Sequence, residues 1–307
     1  MNALRSSIQI LLLFALVAGA SAAQSYIIVD NQTGLILASK NPNEKLQVAS
    51  LTKVATAMVV LDWAQLSKAD LSQMATVSAR AMRSGGLNPV GLQEGDLLSL
   101  RDLLYTALMA SDNVAATSLA EHVGARLPNA ESLDPAGNFV SHMNALAHTL
   151  GMKRTLFLNP SGADNLEGAL PYSTASDMAR LTRYAYTEAD FPFFVSQKTR
   201  IIHVFRGGVD TPIELRNTNE LLDQEGVDGV KTGRTRRAGD CLILSTERRP
   251  EVQRQGESVQ VTPRRIFIVL LGSQERFGEG MALVRQGWGL YDQWAAEGRK
   301  IKKNQAL

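Results

Sequence analysis

Residues 48–61 read VASLTKVATAMVVL, an apolar stretch with few polar members, among them Ser50 and Lys53. A helix that is apolar on every side lies in the interior of a protein, so these residues predict a buried helix. Residues three apart in a helix lie on the same face, which places Ser50 and Lys53 beside each other. The fold is therefore expected to be organised around a buried helix that carries a serine–lysine pair.

This pair has the chemistry of an activated nucleophile. Ser50 lies at the predicted start of the helix, where backbone N–H groups favour developing negative charge. Burial lowers the pKa of a lysine, so Lys53 is expected to be able to take the proton of the Ser50 hydroxyl. On this pattern alone, a helix-capping serine followed by a lysine that extends to the surface remains the simpler interpretation.

A second polar cluster, Ser111-Asp112-Asn113, lies between two helical patterns at residues 97–110 and 114–123. A hydroxyl and an amide in such a connection are suited to relay a proton and to hold a substrate amide. Taken alone, the cluster is more simply a turn between helices with a capping residue.

A third cluster, Lys231-Thr232-Gly233, ends a strand pattern at residues 227–232. A cation and a hydroxyl at this position suit an extended peptide that ends in a carboxylate. The glycine would let the substrate backbone come close, and the strand edge would pair with it. The alternative is that these residues merely end the strand.

Strand patterns occupy both ends of the chain, and helical patterns lie between them. We predict an α/β fold of the α+β kind, in which one sheet is built from both termini and residues 66–195 form a helical lobe. A cleft between sheet and lobe is the expected ligand site. The predicted strands cover residues 26–29, 35–38, 200–205, 209–215, 227–232, 241–245 and 266–271. Further predicted helices cover residues 141–150, 174–186 and 281–294, and residues 248–265 are expected to form a surface loop or hairpin tip.

The composition is that of a globular protein, since 45% of the 307 residues are hydrophobic and 20% are charged. It excludes a disordered or fibrous chain. The net charge is only +2, well below the basic excess of nucleic-acid-binding proteins, so no nucleic-acid partner is expected.

The single cysteine, Cys241, forms no intrachain disulfide and is expected to be buried. No metal site is expected, because zinc-ligand spacing is lacking around His122, His142, His148 and His203.

The N-terminus has the pattern of an export signal. Arg5 is the only charge before Asp30, and the apolar residues 10–18 precede a run of small residues that ends at Ala23. This predicts a signal peptide over residues 1–22. An uncleaved anchor is the alternative, although the run is shorter than the roughly 20 residues of a spanning helix. We expect an exported protein, on the periplasmic or extracellular face of the envelope, without a strong membrane anchor.

The three clusters together are more specific than any one of them, because S-x-x-K, S-D-N and K-T-G in this order form the motif set of penicillin-binding proteins and class A β-lactamases. The chain resembles the low-molecular-mass penicillin-binding proteins of the D-alanyl-D-alanine carboxypeptidase family. The resemblance covers about residues 26–295 and includes Asn-Pro-Ser-Gly at residues 159–162 and Arg-Asn-Thr-Asn at residues 216–219.

The resemblance implies a β-lactamase/DD-peptidase-like domain over residues 23–296, with a five-stranded antiparallel sheet, followed by a basic tail at residues 297–307. The tail is expected to be solvated, because without an apolar face it would bind anionic lipid weakly. The implied activity is a serine D-Ala-D-Ala carboxypeptidase without a cofactor. Its substrate would be the peptidoglycan stem peptide that ends in D-Ala-D-Ala, and β-lactams would be covalent inhibitors.

The resemblance also implies roles for individual residues. Ser50 would attack the carbonyl between the last two D-alanines, Lys53 would be the general base, and Ser111 would pass a proton to the leaving amine. The backbone N–H groups of Ser50 and Arg234 would form the oxyanion hole. The remaining substrate contacts would be made by Asn113 to the amide and by Lys231, Thr232, Gly233 and Arg216 near the terminal carboxylate.

Three alternatives stay open within the same fold. A murein DD-endopeptidase would cut crosslinks with the same residues. A β-lactamase would need a glutamate base in a loop after the S-D-N turn, and Glu167 lies there without the E-x-x-L-N context. An inactive wall-binding protein would not need the three intact motifs. Many members of the family have glycine at the position of Asp112, where aspartate is also a common variant. Bulkier uncharged or aromatic residues are frequent at the position of Arg234, so this departure bears on substrate preference and not on catalysis.

Overall fold

A computed structural model describes residues 23–128, 134–164, 168–256, 258–302 and 304–307. The predicted signal peptide, Glu167 and Lys303 of the tail lie outside these residues. The strands are β1 (Ser25–Asp30), β2 (Ile36–Lys40), β3 (Met74–Thr76), β4 (Leu97–Ser99), β5 (Thr199–Arg206), β6 (Val209–Arg216), β7 (Val227–Thr235), β8 (Gly239–Gln255) and β9 (Ser258–Ser273). The helices are α1 (Lys53–Ser67), α2 (Ala79–Arg83), α3 (Leu100–Met109), α4 (Asn113–Gly124), α5 (Pro135–Thr149), α6 (Ala175–Ala185), α7 (Phe191–Val195) and α8 (Arg276–Ala296).

The main sheet has five strands in the order β2-β1-β9-β8-β7, and all of its pairs are antiparallel. The first strand lies beside the last, with Ser25 opposite Leu271. The prediction of one sheet built from both termini is therefore confirmed. The other side of β7 carries no strand within the described chain, so the K-T-G strand is an edge strand.

A second, four-stranded sheet has the order β3-β4-β5-β6 and was not predicted. The predicted strands at residues 200–205 and 209–215 pair with each other as the hairpin of β5 and β6, and this hairpin pairs with β4 rather than with the main sheet. The segment 66–195 is therefore not wholly helical, because it contributes β3 and β4. These strands have three residues each, too short for an alternating pattern to be recognised.

The main sheet separates two apolar clusters. Successive side chains of a strand point to opposite faces, and on β9 Ile268 packs in the cluster with Trp288 of α8, whereas Val269 packs in the cluster around α1. Residues 53–61 of α1 are all buried, as predicted from the apolar stretch. Cys241 of β8 is also fully buried.

The helical predictions after α1 are largely confirmed. Thr174 caps α6 by accepting a hydrogen bond from the backbone N–H of Asp177 at 3.0 Å. Residues 248–265 form the outer part of the hairpin of β8 and β9, where β8 extends beyond its pairing with β7. The hairpin alternative for this segment is therefore confirmed. In the described parts of the chain, every helix is too short or too polar to cross a bilayer.

Candidate active site

Ser50 lies in a 3-10 turn, Ala49–Thr52, that leads directly into α1. The helix thus begins at Lys53 rather than at Ser50. The turn is held by the loop that contains Gly162, whose φ of +77° favours glycine. A Cβ on Gly162 would overlap the carbonyl oxygen of Ala49. The Asn-Pro-Ser-Gly loop and the serine turn therefore fit together only with glycine at this position.

Lys53 is fully buried and connects three parts of the site. Its Nζ donates to Ser50 Oγ at 2.9 Å, to Asn113 Oδ1 at 2.7 Å and to the carbonyl oxygen of Ser161 at 2.9 Å. Three acceptors match the three donors of an ammonium group. The structure therefore brings the first two motifs together around one lysine nitrogen, and it adds Ser161, which sequence reasoning did not single out.

The electrostatics of Lys53 suit proton transfer near neutral pH. Burial lowers its pKa to about 7, although the charge of Asp112 acts to raise it. Burial also lowers the pKa of Lys231 well below its ordinary value, and the positive charges of Lys53 and Arg276 lower it further. The positive charge of Lys53 thus lowers the pKa of Lys231, whereas the pKa of Lys53 is lowered by burial.

The second motif forms the turn between α3 and α4. Ser111 is buried with a φ of 62°, and Asp112 caps α4 by accepting from the backbone N–H of Ala115 at 2.9 Å. Asn113 is the first residue of α4, and its Nδ2 donates to the carbonyl oxygen of Gly85 at 3.0 Å. The amide group of Asn113 is thus held at one end by Lys53 and at the other by the loop after α2.

The third motif lies on β7, which packs against the serine turn. Lys231 is buried on β7, and its Nζ donates to the carbonyl oxygen of Thr232 at 3.1 Å. The hydroxyl oxygens of Thr232 and Thr218 are 2.7 Å apart. Thr218 also donates its backbone N–H to the carbonyl oxygen of Met109 at 3.0 Å, at the end of α3. Thr218 therefore links the K-T-G strand to the turn that carries the second motif.

Gly233 has a structural role in addition to the predicted one of letting the substrate backbone come close. A Cβ at Gly233 would lie 3.1 Å from the carbonyl oxygen of Val48 and 3.2 Å from both Ala49 Cβ and the backbone nitrogen of Ser50. Such distances are tight for carbon, so the glycine lets β7 approach the serine turn.

The side chain of Arg234 lies at the protein surface. The side chain is 71% exposed, and its Nε lies 3.0 Å from Asp240 Oδ1. The same carboxylate oxygen accepts from Arg276 Nη1 at 3.0 Å, and Arg276 also donates to the carbonyl oxygen of Gly233 at 3.3 Å. Arg276 and Asp240 thus support the end of β7, which the sequence motifs did not indicate.

Arg216 is placed differently from the other predicted residues. Its side chain is 82% exposed at the end of β6, with Nη2 3.4 Å from Glu214 Oε2. It precedes Thr218 by two residues, so the Arg-Asn-Thr-Asn segment reaches the site through Thr218. The signals that point to Ser161 and Thr218 were the Asn-Pro-Ser-Gly and Arg-Asn-Thr-Asn segments, since neither residue belongs to the three motifs.

The chain matches a family model described as D-alanyl-D-alanine carboxypeptidase, peptidase S11, over residues 15–253. It is 32% identical over 230 residues to D-alanyl-D-alanine carboxypeptidase DacF of Bacillus subtilis, covering 75% of this chain and 55% of that protein. It is 36% identical over 233 residues to a D-alanyl-D-alanine endopeptidase of Pseudomonas aeruginosa, covering 73% of this chain and 67% of that protein. The chain thus spans about half to two thirds of the length of these relatives.

Solved structures show the same fold. The Streptomyces K15 DD-transpeptidase superposes with a TM-score of 0.74 at 25% identity, covering 88% of this chain and 98% of that one. Penicillin-binding protein D2 of Listeria monocytogenes in its ampicillin-bound form superposes with a TM-score of 0.68 at 25% identity, with the same coverage of both chains. The predicted β-lactamase/DD-peptidase-like fold is therefore confirmed.

Proposed function

This chain belongs to the D-alanyl-D-alanine carboxypeptidase family, peptidase S11, and from that premise we propose that it is a serine carboxypeptidase that removes the terminal D-alanine of peptidoglycan stem peptides. The observation that carries the proposal is the contact of 2.9 Å between Lys53 Nζ and Ser50 Oγ. The pKa of about 7 at Lys53 makes the neutral amine available at neutral pH.

The proposed reaction begins when Ser50 Oγ attacks the carbonyl carbon between the last two D-alanines and Lys53 takes the hydroxyl proton. The negative charge that develops on the carbonyl oxygen is stabilised by the backbone N–H groups of Ser50 and Arg234. The C–N bond then breaks, and the proton that Lys53 took from Ser50 passes through Ser111 to the leaving amine. Water hydrolyses the ester on Ser50 and regenerates the enzyme.

The substrate is proposed to lie along the open edge of β7. Lys231 and Thr232 bind its terminal carboxylate, and Gly233 permits the close approach of strand and serine turn. Asn113 holds the amide of the substrate through the second N–H of its Nδ2, because the first is donated to Gly85. Arg216 is proposed to act at the carboxylate after its exposed side chain turns from Glu214, a movement that an exposed arginine makes at low cost.

The wider organisation is proposed from the sequence. Residues 1–22 serve as a signal peptide, residues 23–296 form the peptidase domain with its helical region at about 66–195, and residues 297–307 form a basic tail. The enzyme acts outside the cytoplasm on the cell wall, and β-lactams acylate Ser50. The ampicillin-bound form of the Listeria relative supports the last point.

The test combines labelling with product analysis. The purified protein is expected to release D-alanine from an acylated peptide that ends in D-Ala-D-Ala and to form a long-lived adduct with fluorescent penicillin. Ser50→Ala should lose both. Cys241→Ala is the control for a second nucleophile and should keep both activities. The Cys241 thiol is buried, and burial raises its pKa to about 12, so it is not available as a thiolate. Labelling that persists in Ser50→Ala contradicts the assignment, and rapid turnover of the adduct indicates a β-lactamase.

A DD-endopeptidase is the second candidate, and it is favoured by the 36% identity to the Pseudomonas endopeptidase. Both activities cleave the bond that follows a D-alanine. The leaving group of the carboxypeptidase is free D-alanine, whereas that of the endopeptidase is a second, crosslinked stem peptide. Separate incubations with crosslinked dimers and uncrosslinked pentapeptides distinguish them. Release of monomers from dimers, without release of free D-alanine, would replace the carboxypeptidase by the endopeptidase.

A further inference from the structure

A cavity of about 430 Å³ lies beside the serine–lysine pair and has no role in the three motifs. Its wall includes Ser161, whose carbonyl oxygen binds Lys53 Nζ. The volume falls in the usual range of small-ligand sites. Its charged lining residues are Arg80, Arg83, Asp134 and Asp164.

The cavity is joined to the end of β7 by a hydrogen bond. Thr235 Oγ1 donates to Asp164 Oδ1 at 3.0 Å. Residues two apart in a strand point to the same face, so Lys231, Gly233 and Thr235 follow one another along one face of β7. Gly233 is the member that faces Ser50. Asp164 therefore lies on the far side of the nucleophile from Lys231.

This order places part of the substrate at the cavity, on the premise of the proposed function. If the terminal carboxylate is at Lys231 and the scissile carbonyl is at Ser50, the rest of the stem peptide continues toward Thr235. A strand advances about 3.3 Å per residue, so the residue before the two D-alanines lies near Thr235 and Asp164. The side chain of that third residue from the end is then the group that the cavity can receive.

The charges of the cavity are not all neutralised within the protein. Arg80 forms an ion pair with Asp134, and its Nε lies 3.8 Å from Glu121 Oε1. Arg83, in contrast, is exposed and forms no ion pair with any residue that the structure describes. Asp164 is held by a neutral hydroxyl rather than by a cation. The cavity thus offers one positive and one negative group to a ligand.

We propose that this cavity binds the side chain of the third residue from the end of the stem peptide, and that it selects a side chain ending in both an ammonium and a carboxylate group. Asp164 receives the ammonium group, and Arg83 receives the carboxylate. A lysine side chain satisfies Asp164 only, and an alanine side chain satisfies neither. Specificity for the third residue therefore depends on two residues outside the three motifs.

The experiment uses three acylated tripeptides that end in D-Ala-D-Ala and begin with diaminopimelic acid, lysine or alanine. We expect the wild-type protein to hydrolyse the diaminopimelic acid peptide with the highest kcat/KM. Arg83→Ala should lower kcat/KM for that peptide about tenfold and leave the lysine and alanine peptides nearly unchanged, and Arg83→Lys should recover part of the loss. Asp164→Asn, which keeps an acceptor for Thr235, should slow the diaminopimelic acid and lysine peptides but not the alanine peptide.

Two controls keep the outcome clear. Arg249→Ala removes an exposed cation from the hairpin of β8 and β9, and it should leave the order of the three peptides unchanged. Binding of the same peptides to Ser50→Ala, measured by calorimetry, tests the cavity without catalysis. If no peptide is hydrolysed but binding follows the predicted order, the proposed function fails and the cavity assignment stands. Equal losses on all three peptides, or no preference in the wild-type protein, overturn the cavity assignment.

Discussion

Gly233 of β7 faces the backbone nitrogen of Ser50 so closely that a Cβ on the glycine would lie 3.2 Å from it. The strand that is proposed to bind the substrate therefore packs directly on the turn that carries the nucleophile. Movement of either element changes the position of the Ser50 N–H, which is one of the two proposed oxyanion donors. This contact predicts that substrate binding and the geometry of attack are coupled.

Gly233→Ala is expected to force β7 and the serine turn apart by a few tenths of an ångström. Overpacking of this kind costs about 1–3 kcal/mol of stability. Displacement of an oxyanion donor lowers acylation by up to roughly 10²-fold, because complete removal of such a donor costs about 10²–10³-fold. Thermal unfolding and the rate of penicillin acylation measure the two effects. Gly289→Ala is the control, because a Cβ on this exposed residue of α8 meets no atom within 4 Å. Wild-type acylation by Gly233→Ala would refute the coupling.

Lys53→Arg is expected to lower penicillin acylation by about 100-fold or more, because general-base catalysis contributes roughly 10²–10⁴-fold and an arginine does not deprotonate in proteins. The adduct formed with time on Ser50 measures the rate. Lys68→Arg, just beyond the other end of α1, should behave as the wild-type protein. A rate within a few-fold of wild type would mean that another group takes the proton, with Ser111 acting through a water as the first candidate.

The pH dependence of acylation follows from the lowered pKa of Lys53. The neutral, active fraction of this lysine increases as the pH rises, so the rate should increase through a midpoint near pH 7 and then level off. An ordinary lysine would place this midpoint near its unperturbed pKa of about 10.4. A rate that does not change between about pH 5 and about pH 8 would exclude Lys53 as the base.

Lys231→Met is expected to impair binding of the substrate carboxylate more than the attack by Ser50. A hydrogen bond to a charged group contributes about 1.5–3 kcal/mol, so hydrolysis of a carboxylate substrate should fall by about 10- to 100-fold. The matching peptide with an amidated end should lose much less rate. Because burial lowers the pKa of Lys231, the wild-type preference for the carboxylate should weaken at a lower pH than for an exposed lysine. Equal losses on both peptides would show that Lys231 serves the chemistry of attack.

The sequence was sufficient to predict the helices and strands with strong periodic patterns and the presence of the three motifs at one site. The burial of Lys53 follows from the largely apolar residues 54–61. Lys231 lies within the predicted strand, although β7 continues beyond K-T-G to Thr235. The sequence did not predict that β4 pairs with the hairpin of β5 and β6, because register between distant segments is determined by tertiary packing. The strained backbone of Ser111 and Ala49, with φ values of 62° and 49°, likewise depends on the surrounding structure rather than on local preference.

The site residues that were missed act through their backbone or through contacts between distant segments. Ser161 contributes a carbonyl oxygen, which every residue type has, so only its loop sequence marks it. Arg276 supports Gly233 and Asp240 from the start of α8, more than 30 residues away in the chain, with separations of 43 and 36 residues. Asp164 and Arg83 lie outside all three motifs and are brought to one cavity by the fold alone.

The position of β1 between β2 and β9 has a consequence for how the chain acquires its structure. β1 pairs with residues 266–271, so more than 230 residues are made before its second neighbour exists. Until then β1 and β2 form only a two-stranded hairpin, which is marginally stable in water. Contacts of such long sequence separation slow folding, because the loop entropy is lost before the contacts form. A nascent chain therefore remains without its central sheet until the final strand emerges, and a fragment that ends before β9 has no route to the native state.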